Sequence, residues 1–318
     1  MKEKIKIGVS SCLIGEKVRW NGDHKQDRYV REVLEQYFQY LPVCPEMEVG
    51  MGVPRETVAL YGDLKKPKML GRKSRTDWTG KMNRFVKGRI KQLNHDDLCG
   101  FIFKSKSPSC GLGRIPVYSE TEQGKARHGA GMFAKAFTET FPLTPVEDEG
   151  RLNDPRIREN FIVRVFSFSR LKNELLSSRA RPGTLVKFHT KNKFLLLSHS
   201  RKHYTALGKI VAEVKKDPWN KVIASYAFIF MEALALKSTT KKHTDVLMHM
   251  MGFFKKMLSK DEKADILEAV EDYRKELLPL IVPVTLIRNY VKKHQVDYLQ
   301  DQVYLNPHPK ELMLRNHV

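Results

Sequence analysis

Four cysteines occur in 318 residues, Cys12, Cys44, Cys99 and Cys110, and all fall within the first 110 positions. Three of them stand among small, hydroxyl-bearing or turn-forming residues: Ser10-Ser11-Cys12-Leu13, Val43-Cys44-Pro45-Glu46 and Ser105-Lys106-Ser107-Pro108-Ser109-Cys110-Gly111. In Cys44-Pro45-Glu46 a soft ligand or nucleophile has an acid/base group two residues away. Loops of this composition can turn backbone N–H groups toward an anion, and the same residues also favour ordinary turns. The CxxC pairs typical of zinc sites are absent. An iron–sulfur cluster needs thiolates but no fixed local spacing. Three thiolates on a four-iron cluster leave one iron open to a soft atom such as sulfur. On the residues alone, that reading stands level with three inert buried thiols.

The other candidates carry less. His199 and His203 have i, i+4 spacing with His189 nearby, but no glutamate lies between the pair as in HExxH, so solvent-facing or RNA-contacting histidines are expected. Gly111-Leu112-Gly113 and Gly129-Ala130-Gly131 read as turns rather than phosphate cradles. There is no GxGxxG or P-loop, so no nicotinamide or flavin site is expected. Glu48 reads as a salt-bridged surface acid. Asp23 and His24 are loop residues or groups behind the ligands. The pairs Met250-Met251 and Phe253-Phe254 read as core.

The elements that must position the thiols alternate between strand and helix. Lys4–Ser10 reads as a strand, Asp27–Phe38 as a helix, Tyr40–Cys44 as a strand, and Trp78–Asn94 as a helix capped by Asp77. Leu98–Phe103 and Ile115–Tyr118 read as strands, and Gly131–Thr140 as a helix. This grammar predicts an α/β domain with a mostly parallel, doubly wound sheet. Cys12, Cys44 and Cys110 then follow three separate strands, at the carboxyl edge where open α/β sheets build their sites. Cys99 instead starts an apolar strand and reads as a core thiol.

Phe141–Pro155, with three prolines and an acidic run, reads as a boundary. Beyond it lie helical stretches: 156–176, 183–199, 204–215, 221–236, 241–258, 263–278 and 283–293, with Asp154-Pro155 as an Ncap–N1 pair and Pro283 as a break. The expectation is therefore two domains, 1–145 and an all-α domain over 146–318.

Charge points to a partner. With 57 Lys/Arg against 36 Asp/Glu the net charge is +21. Residues 1–150 carry +7 and residues 151–318 carry +14. Lys65–Lys91 holds eleven basic residues against Asp77 alone, and Arg151–Lys221 holds 17 against 5 acidic. An excess this one-sided favours an anionic partner, nucleic acid above all. A membrane surface is disfavoured because no stripe of Trp and Phe accompanies the basic blocks. No run of eighteen apolar residues is present, and the N-terminus lacks the apolar core of a signal peptide. A cytoplasmic protein is expected, in which a disulfide framework would be out of place.

The motifs SSCLIG, VCPE and KSPSCG, in that order over about 150 residues, resemble the TudS-type thiouracil desulfidases. The tail resembles the YbgA-type domain through LVKFHTKNKFLLLSHS (185–200), HTDVLMHMMGFFKK (243–256), PLIVPVTLIRNYV (279–291) and QVYLNPHPKELMLRN (302–316). The combination is similar to bacterial desulfidases acting on 4-thiouridine in tRNA. The resemblance implies that Cys12, Cys44 and Cys110 hold a [4Fe–4S] cluster with one open iron, that Glu46 is the acid/base residue, and that Ser107 lies beside the substrate. It implies non-redox loss of sulfur as hydrosulfide, with a helical domain that binds tRNA. The basic residues expected at RNA are Arg72, Lys73 and Arg75 in the first domain and Lys187, Lys191, Lys193, Arg201 and Lys202 in the second. Free thiouracil or a thionucleoside is the alternative substrate. A basic RNA-binding protein with purely structural cysteines is the alternative of another class.

Overall fold

The computed structural model describes residues 4–119 and 127–318. They divide into two compact units, Met1–Asn153 and Asp154–Val318.

In the first unit the chain runs through β1 (Ile5–Ser10), β2 (Phe38–Val43), α1 (Pro45–Glu48), β3 (Val58–Gly62), β4 (Pro67–Gly71), α2 (Thr79–Leu93), β5 (Phe101–Phe103), β6 (Ile115–Tyr118), β7 (Arg127–Gly129), α3 (Met132–Thr140) and β8 (Val146–Asp148). One sheet is wholly parallel, in the order β2-β1-β5-β8. The α/β reading with a parallel sheet therefore holds. A second four-stranded sheet, β4-β3-β6-β7, departs from the sequence reading and takes β6 out of the parallel one. It is mixed: β3 pairs antiparallel with β4 and parallel with β6.

Phe101 and Phe103 lie two apart on β5, so they share a face. Their rings stack at 4.0 Å and meet Phe133 and Phe137 of α3 edge-on. Such pairs add about 0.5–1.5 kcal/mol each beyond their buried area. Gly8 is required on β1, because a Cβ there would come within 2.1 Å of the Phe101 ring.

Three local expectations are corrected. The helix over Asp27–Phe38 is only a wide turn at Tyr29–Val33 followed by a tight one at Leu34–Gln36. Phe38 instead opens β2 opposite Ile5, so sheet pairing overrides the helical spacing. The stretch 141–155 is no bare linker: β8 lies within it and pairs with β5, which moves the division to Asn153/Asp154. Cys44 does not end β2 but caps α1, with Pro45 at the first helical position, where its missing N–H costs nothing.

The second unit is helical: α4 (Pro155–Glu174), α5 (Pro182–Lys191), α6 (Lys193–His199), α7 (Arg201–Ala212), α8 (Trp219–Ala235), α9 (Thr240–Met251), α10 (Lys260–Arg274), α11 (Ile281–Lys293) and the single turn α12 (Asp297–Gln300). Asp154 caps α4 as predicted, accepting the N–H groups of Arg156 (2.8 Å) and Ile157 (3.1 Å). The expected helix over 183–199 is two helices. The Asn192 amide donates to the Phe188 carbonyl (2.8 Å) and ends α5 there. The break expected at Pro283 falls between α10 and α11, and Pro283 sits in the first turn of α11. Among the described residues, no single helix is long and apolar enough to cross a membrane.

Candidate active site

The carboxyl ends of all four parallel strands contribute to one place. Cys12 lies in the tight turn Ser11–Ile14 directly after β1, Cys44 and Glu46 follow β2, the loop Lys104–Cys110 follows β5, and Glu149 follows β8. Cys12, Cys44, Cys110, Glu46 and Ser107 all line a single cavity of about 350 Å³. Cys99 is buried outside it and is not among its lining residues. The convergence predicted for three of the four thiols is therefore what the chain does.

The loop that carries Cys110 is fixed from beneath. The first N–H groups of α3 are taken by that loop's carbonyls: Met132 N–H by Pro108 (3.1 Å) and Phe133 N–H by Ser109 (3.0 Å). Gly131 permits this approach, since a Cβ there would come within 2.6 Å of the Ser109 carbonyl. The Gly129-Ala130-Gly131 turn thus seats a loop rather than a phosphate. Lys106, in the same loop, holds a left-handed conformation at φ 58°.

Two carboxylates at the cavity are held by cations, while Arg19, Lys25 and Lys106, which also line it, enter no ion pair among the described residues. Glu46 Oε2 accepts from Arg55 Nη2 (2.6 Å) and Nε (3.2 Å), with side chains only 15% and 7% exposed. Arg55 is anchored in turn by the carbonyls of Val18 (3.0 Å) and Gly52 (2.9 Å). The other carboxylate oxygen, Oε1, accepts from Ser109 Oγ at 2.8 Å, and Ser107 Oγ lies 3.5 Å from it. The two hydroxyls are 2.9 Å apart. Behind the lining residues Lys104 and Ser105 stands Glu149: it binds the Lys104 ammonium and accepts from the Ser105 N–H and hydroxyl (both 2.7 Å). Lys104 and Ser105 together hold the Glu149 carboxyl below its ordinary range despite burial. Glu48 stays outside the cavity. It accepts the Cys44 backbone N–H (3.0 Å) and faces Arg89 at 3.5 Å, the salt-bridged role expected of it, while burial raises its carboxyl above the ordinary range.

Burial pushes the thiols up: Cys12 to about 12, Cys44 to about 11, and Cys110 higher still. Each thiol also has a neighbour that favours the anionic sulfur. For Cys12 these are Lys104 and Arg19; for Cys44, the N–H groups of Met47 and Glu46 at the start of α1 and the Arg55 cation; for Cys110, the hydroxyls of Ser10 and Ser109. An ionised Cys44 would push both other thiols up further. Among the described residues, no three Cys, His, Asp or Glu are grouped as ligands of one metal ion. The thiols share the cavity without forming a single-ion site. The donor set fits a larger thiolate-held group, soft in its ligands and screened by cationic and hydroxyl neighbours.

Sequence reasoning misses Arg55, Ser109, Lys104 and Glu149. In the sequence Glu149 reads as part of an acidic linker. Arg55 gives no local signal, because its partner lies across a loop rather than on a shared helix face.

The basic residues singled out are exposed or half-buried in each unit. Arg72 reaches Tyr118 (3.2 Å to its hydroxyl), Arg75 stacks over Tyr61 at 4.3 Å, and Lys73 is exposed beside them. In the second unit Lys187, Arg201 and Lys202 are exposed, Lys191 lies 3.6 Å from Asp301, and Lys193 sits over the rings of Phe194 and Tyr298. The histidines are a correction. His189 is buried between Tyr204, on which it stacks, and the Tyr226 hydroxyl at 3.2 Å. His199 is buried against the Leu236 carbonyl at 2.6 Å. Only His203 is partly exposed, bonded to Ser200 (2.7 Å) and near Glu232 (3.3 Å). Of the two pairs expected in the core, Met250 and Phe254 are fully buried, whereas Met251 and Phe253 are only half-buried.

Comparison with known proteins follows the same division. A model of the 2-thiouracil desulfurase family matches residues 7–149, and a model described as a protein of unknown function (DUF1722) matches residues 193–309. The uncharacterized protein YbgA of Escherichia coli (strain K12) is 26% identical over 168 residues, 52% of this chain and 98% of that protein. The uncharacterized protein YbbK of Bacillus subtilis (strain 168) is 31% identical over 133 residues, 40% of this chain and 86% of that protein. A solved structure, the [4Fe–4S]-dependent thiouracil desulfidase TudS, shares 27% identity over 48% of this chain and 95% of its own, with a TM-score of 0.39. Through its first unit, the chain belongs to the 2-thiouracil desulfurase family.

Proposed function

We propose that this protein removes sulfur from a thiolated uracil base, releasing hydrosulfide and leaving the carbonyl, and that its substrate is 4-thiouridine in tRNA. The observation that carries the chemistry is the meeting of Cys12, Cys44 and Cys110 with Glu46 in one cavity. The three thiols would hold a [4Fe–4S] cluster. When bound, the cluster supplies an iron without a protein ligand, a soft Lewis acid suited to a thiocarbonyl sulfur.

The chain's own residues do the rest. Arg55 fixes Glu46 by two hydrogen bonds to Oε2, so the carboxylate keeps one orientation and Oε1 is left for proton transfer. Glu46 takes a proton from the water that attacks the sulfur-bearing ring carbon. The hydroxide adds to that carbon as the π pair of the thiocarbonyl moves onto sulfur. The carbonyl then forms as the remaining carbon–sulfur pair and the second water proton leave together as hydrosulfide. The first proton stays on Glu46 until it passes to solvent. Ser109, and Ser107 beside it, give Oε1 a hydroxyl path for that proton. The reaction is a hydrolysis with no net electron transfer, so no redox cofactor takes part.

The tRNA part of the reading is supported by the charge. A small neutral base needs no field of +14 on the second unit, whereas a polyphosphate strand gains affinity from it by releasing counterions. A 4-thiouridine in folded tRNA would have to be turned out of its stack to enter the cavity. The test is anaerobic purification with iron and labile-sulfide analysis, followed by sulfide release from 4-thiouridine tRNA, free 4-thiouridine and 2-thiouracil. Iron-bearing protein with highest kcat/KM on tRNA is expected. Protein lacking iron and inert on all three overturns the enzyme. Equal kcat/KM on tRNA and free base overturns the tRNA assignment.

A further inference from the structure

The proposed chemistry leaves one residue of the thiol cavity without a task. Among the described residues that line it, Trp20 is the one aromatic side chain, and it is 46% exposed. A single exposed apolar side chain is ordinary on a protein surface. What sets Trp20 apart is its place at the rim of a cavity that holds three thiols and an acid/base carboxylate. An indole usually buries its ring or finds a partner for it. Trp78 does so: it packs against the core of the first unit, with the Lys81 ammonium 4.8 Å from its ring centroid. The Trp20 ring has no aromatic or cationic partner among the described residues.

The backbone beneath that bare ring is held. The Arg19 N–H donates to the Asp23 carbonyl (3.0 Å) and the Gly22 N–H to the Arg19 carbonyl (2.9 Å), which closes residues 19–23 into a tight turn. Gly22 stands at φ 80°, a left-handed conformation that glycine adopts without strain. The Arg55 N–H donates to the Trp20 carbonyl (2.8 Å), and the Arg55 guanidinium donates to the Val18 carbonyl (3.0 Å). The same guanidinium orients Glu46. One residue therefore ties the segment that carries the indole to the group that moves the proton. The remaining apolar lining is aliphatic, from Val43, Val58 and Pro108.

We propose that Trp20 stacks on the pyrimidine ring of the substrate and so sets the plane in which the thiocarbonyl is presented to Glu46. Every base has a π face, and an aromatic side chain gains from covering it whatever the ring substituents are. A hydroxide must approach the sulfur-bearing carbon from above or below the ring plane. With one face of the ring on the indole, only the other face stays open to attack. The proposal rests on the desulfidase reading and needs neither the tRNA nor the helical unit.

The test is sulfide release from free 4-thiouridine by the iron-loaded chain, with KM and kcat read separately. Trp20→Ala should raise KM by about tenfold or more, the loss expected for one base–aromatic stack, and lower kcat less. Trp20→Phe should recover most of that loss. Trp20→Leu, apolar but without a π face, should resemble Trp20→Ala. Iron per chain and melting temperature should be the same in all three variants. An unchanged KM in Trp20→Ala overturns the proposal, and a Trp20→Leu chain as good as Trp20→Phe overturns it in favour of a plain apolar wall. A second measurement does not depend on turnover. Under near-ultraviolet light 4-thiouridine forms a covalent bond to side chains that it touches, so irradiating it with the iron-loaded Glu46→Gln chain should give an adduct that mass spectrometry maps to Trp20. An adduct elsewhere in the cavity, with Trp20 unmodified, overturns the stack. If the unmodified chain neither releases sulfide nor forms an adduct in the cavity, the desulfidase reading fails and the stack with it. Full activity with an unchanged KM in Trp20→Ala keeps that reading and removes only the stack.

Discussion

The two units bury polar groups in different proportions. In the first, charges are brought in as matched pairs at one edge of a sheet: Glu46 with Arg55 and Glu149 with Lys104, around three thiols. In the second, the pair Arg315–Glu159 is buried too, but most polar residues at depth are neutral: His189 and His199 bond to a hydroxyl and a carbonyl, and His243 bonds to Tyr304, while most of the cations stay outside. A buried ion pair is poor at adding stability, because desolvation offsets much of the attraction. It does hold a carboxylate in one orientation. The first arrangement therefore belongs to a place where bonds are made and broken, and the second to a scaffold carrying a basic exterior.

Two substitutions break the first half of that contrast most severely. Cys44→Ala should abolish iron binding and sulfide release together, measured as iron per chain and as sulfide from 4-thiouridine. Cys99→Ala should leave both intact. Loss in both variants alike would mean that cavity position does not distinguish the thiols. Next in size, Glu46→Gln should keep iron and lower kcat by about 10²–10⁴-fold, the range for loss of a general acid/base. Arg55 acts through Glu46, so Arg55→Gln should lower kcat by about 10–100-fold with little change in KM, and Arg55→Lys should recover part of it. A loss confined to melting temperature would make Arg55 merely structural.

How much of this is legible in the sequence follows from the range of the interactions. The parallel strands and their terminal thiols are readable because β1, β2 and β5 carry short apolar runs ending in turn residues. The hairpin β3–β4 escapes the reading, although Asp63, whose side chain accepts the N–H groups of Lys65 (2.6 Å) and Lys66 (3.1 Å), is an ordinary turn-former. The run of lysines draws attention to charge instead of to the turn. Arg55 and Glu149 reach the site only through tertiary closure, one from a loop and the other from the end of a three-residue strand, and no spacing announces either. The buried histidines are misread for the same reason: His189 and His199 satisfy their nitrogens on Tyr226 and Leu236, each 37 positions away in sequence.

Those neutral histidines give the second unit an acid sensitivity that the first does not share through the same groups. His199 is lowered to about 4 mainly by burial, opposed by its bond to Leu236; His189 is lowered to about 4 by burial alone; His243 lies well below its ordinary value. In the unfolded chain each would titrate near 6.5. Between those values the unfolded state binds more protons, so the stability these groups contribute is whole above about pH 6.5 and is lost as pH falls toward 4. Each pH unit separating the folded from the unfolded value is worth at most about 1.4 kcal/mol, so even a discounted effect from two histidines amounts to a few kcal/mol. Thermal melting followed at pH 7.5 and pH 5 should show the helical unit destabilised at the lower pH. His199→Gln should flatten the dependence, and an equal dependence in that variant would assign it elsewhere.

The smallest effect tests whether the basic exterior acts as a field or as a site. Lys187, Arg201 and Lys202 are exposed, while Lys193 is partly engaged with Phe194 and Tyr298 and Lys191 with Asp301. Replacing the first three by Gln should weaken tRNA binding by about tenfold near physiological salt, the salt slope falling by about 0.7–0.9 for every phosphate left without its cation. Sulfide release from free 4-thiouridine should not change, since none of the three lines the thiol cavity. Replacing Arg72 and Lys73 by Gln removes two cations from the first unit and serves as the counterpart. If the two variants lose affinity in proportion to the charges removed, the exterior works as a diffuse field. A larger loss per charge in the helical unit makes that unit the docking surface, with the first unit left to the chemistry.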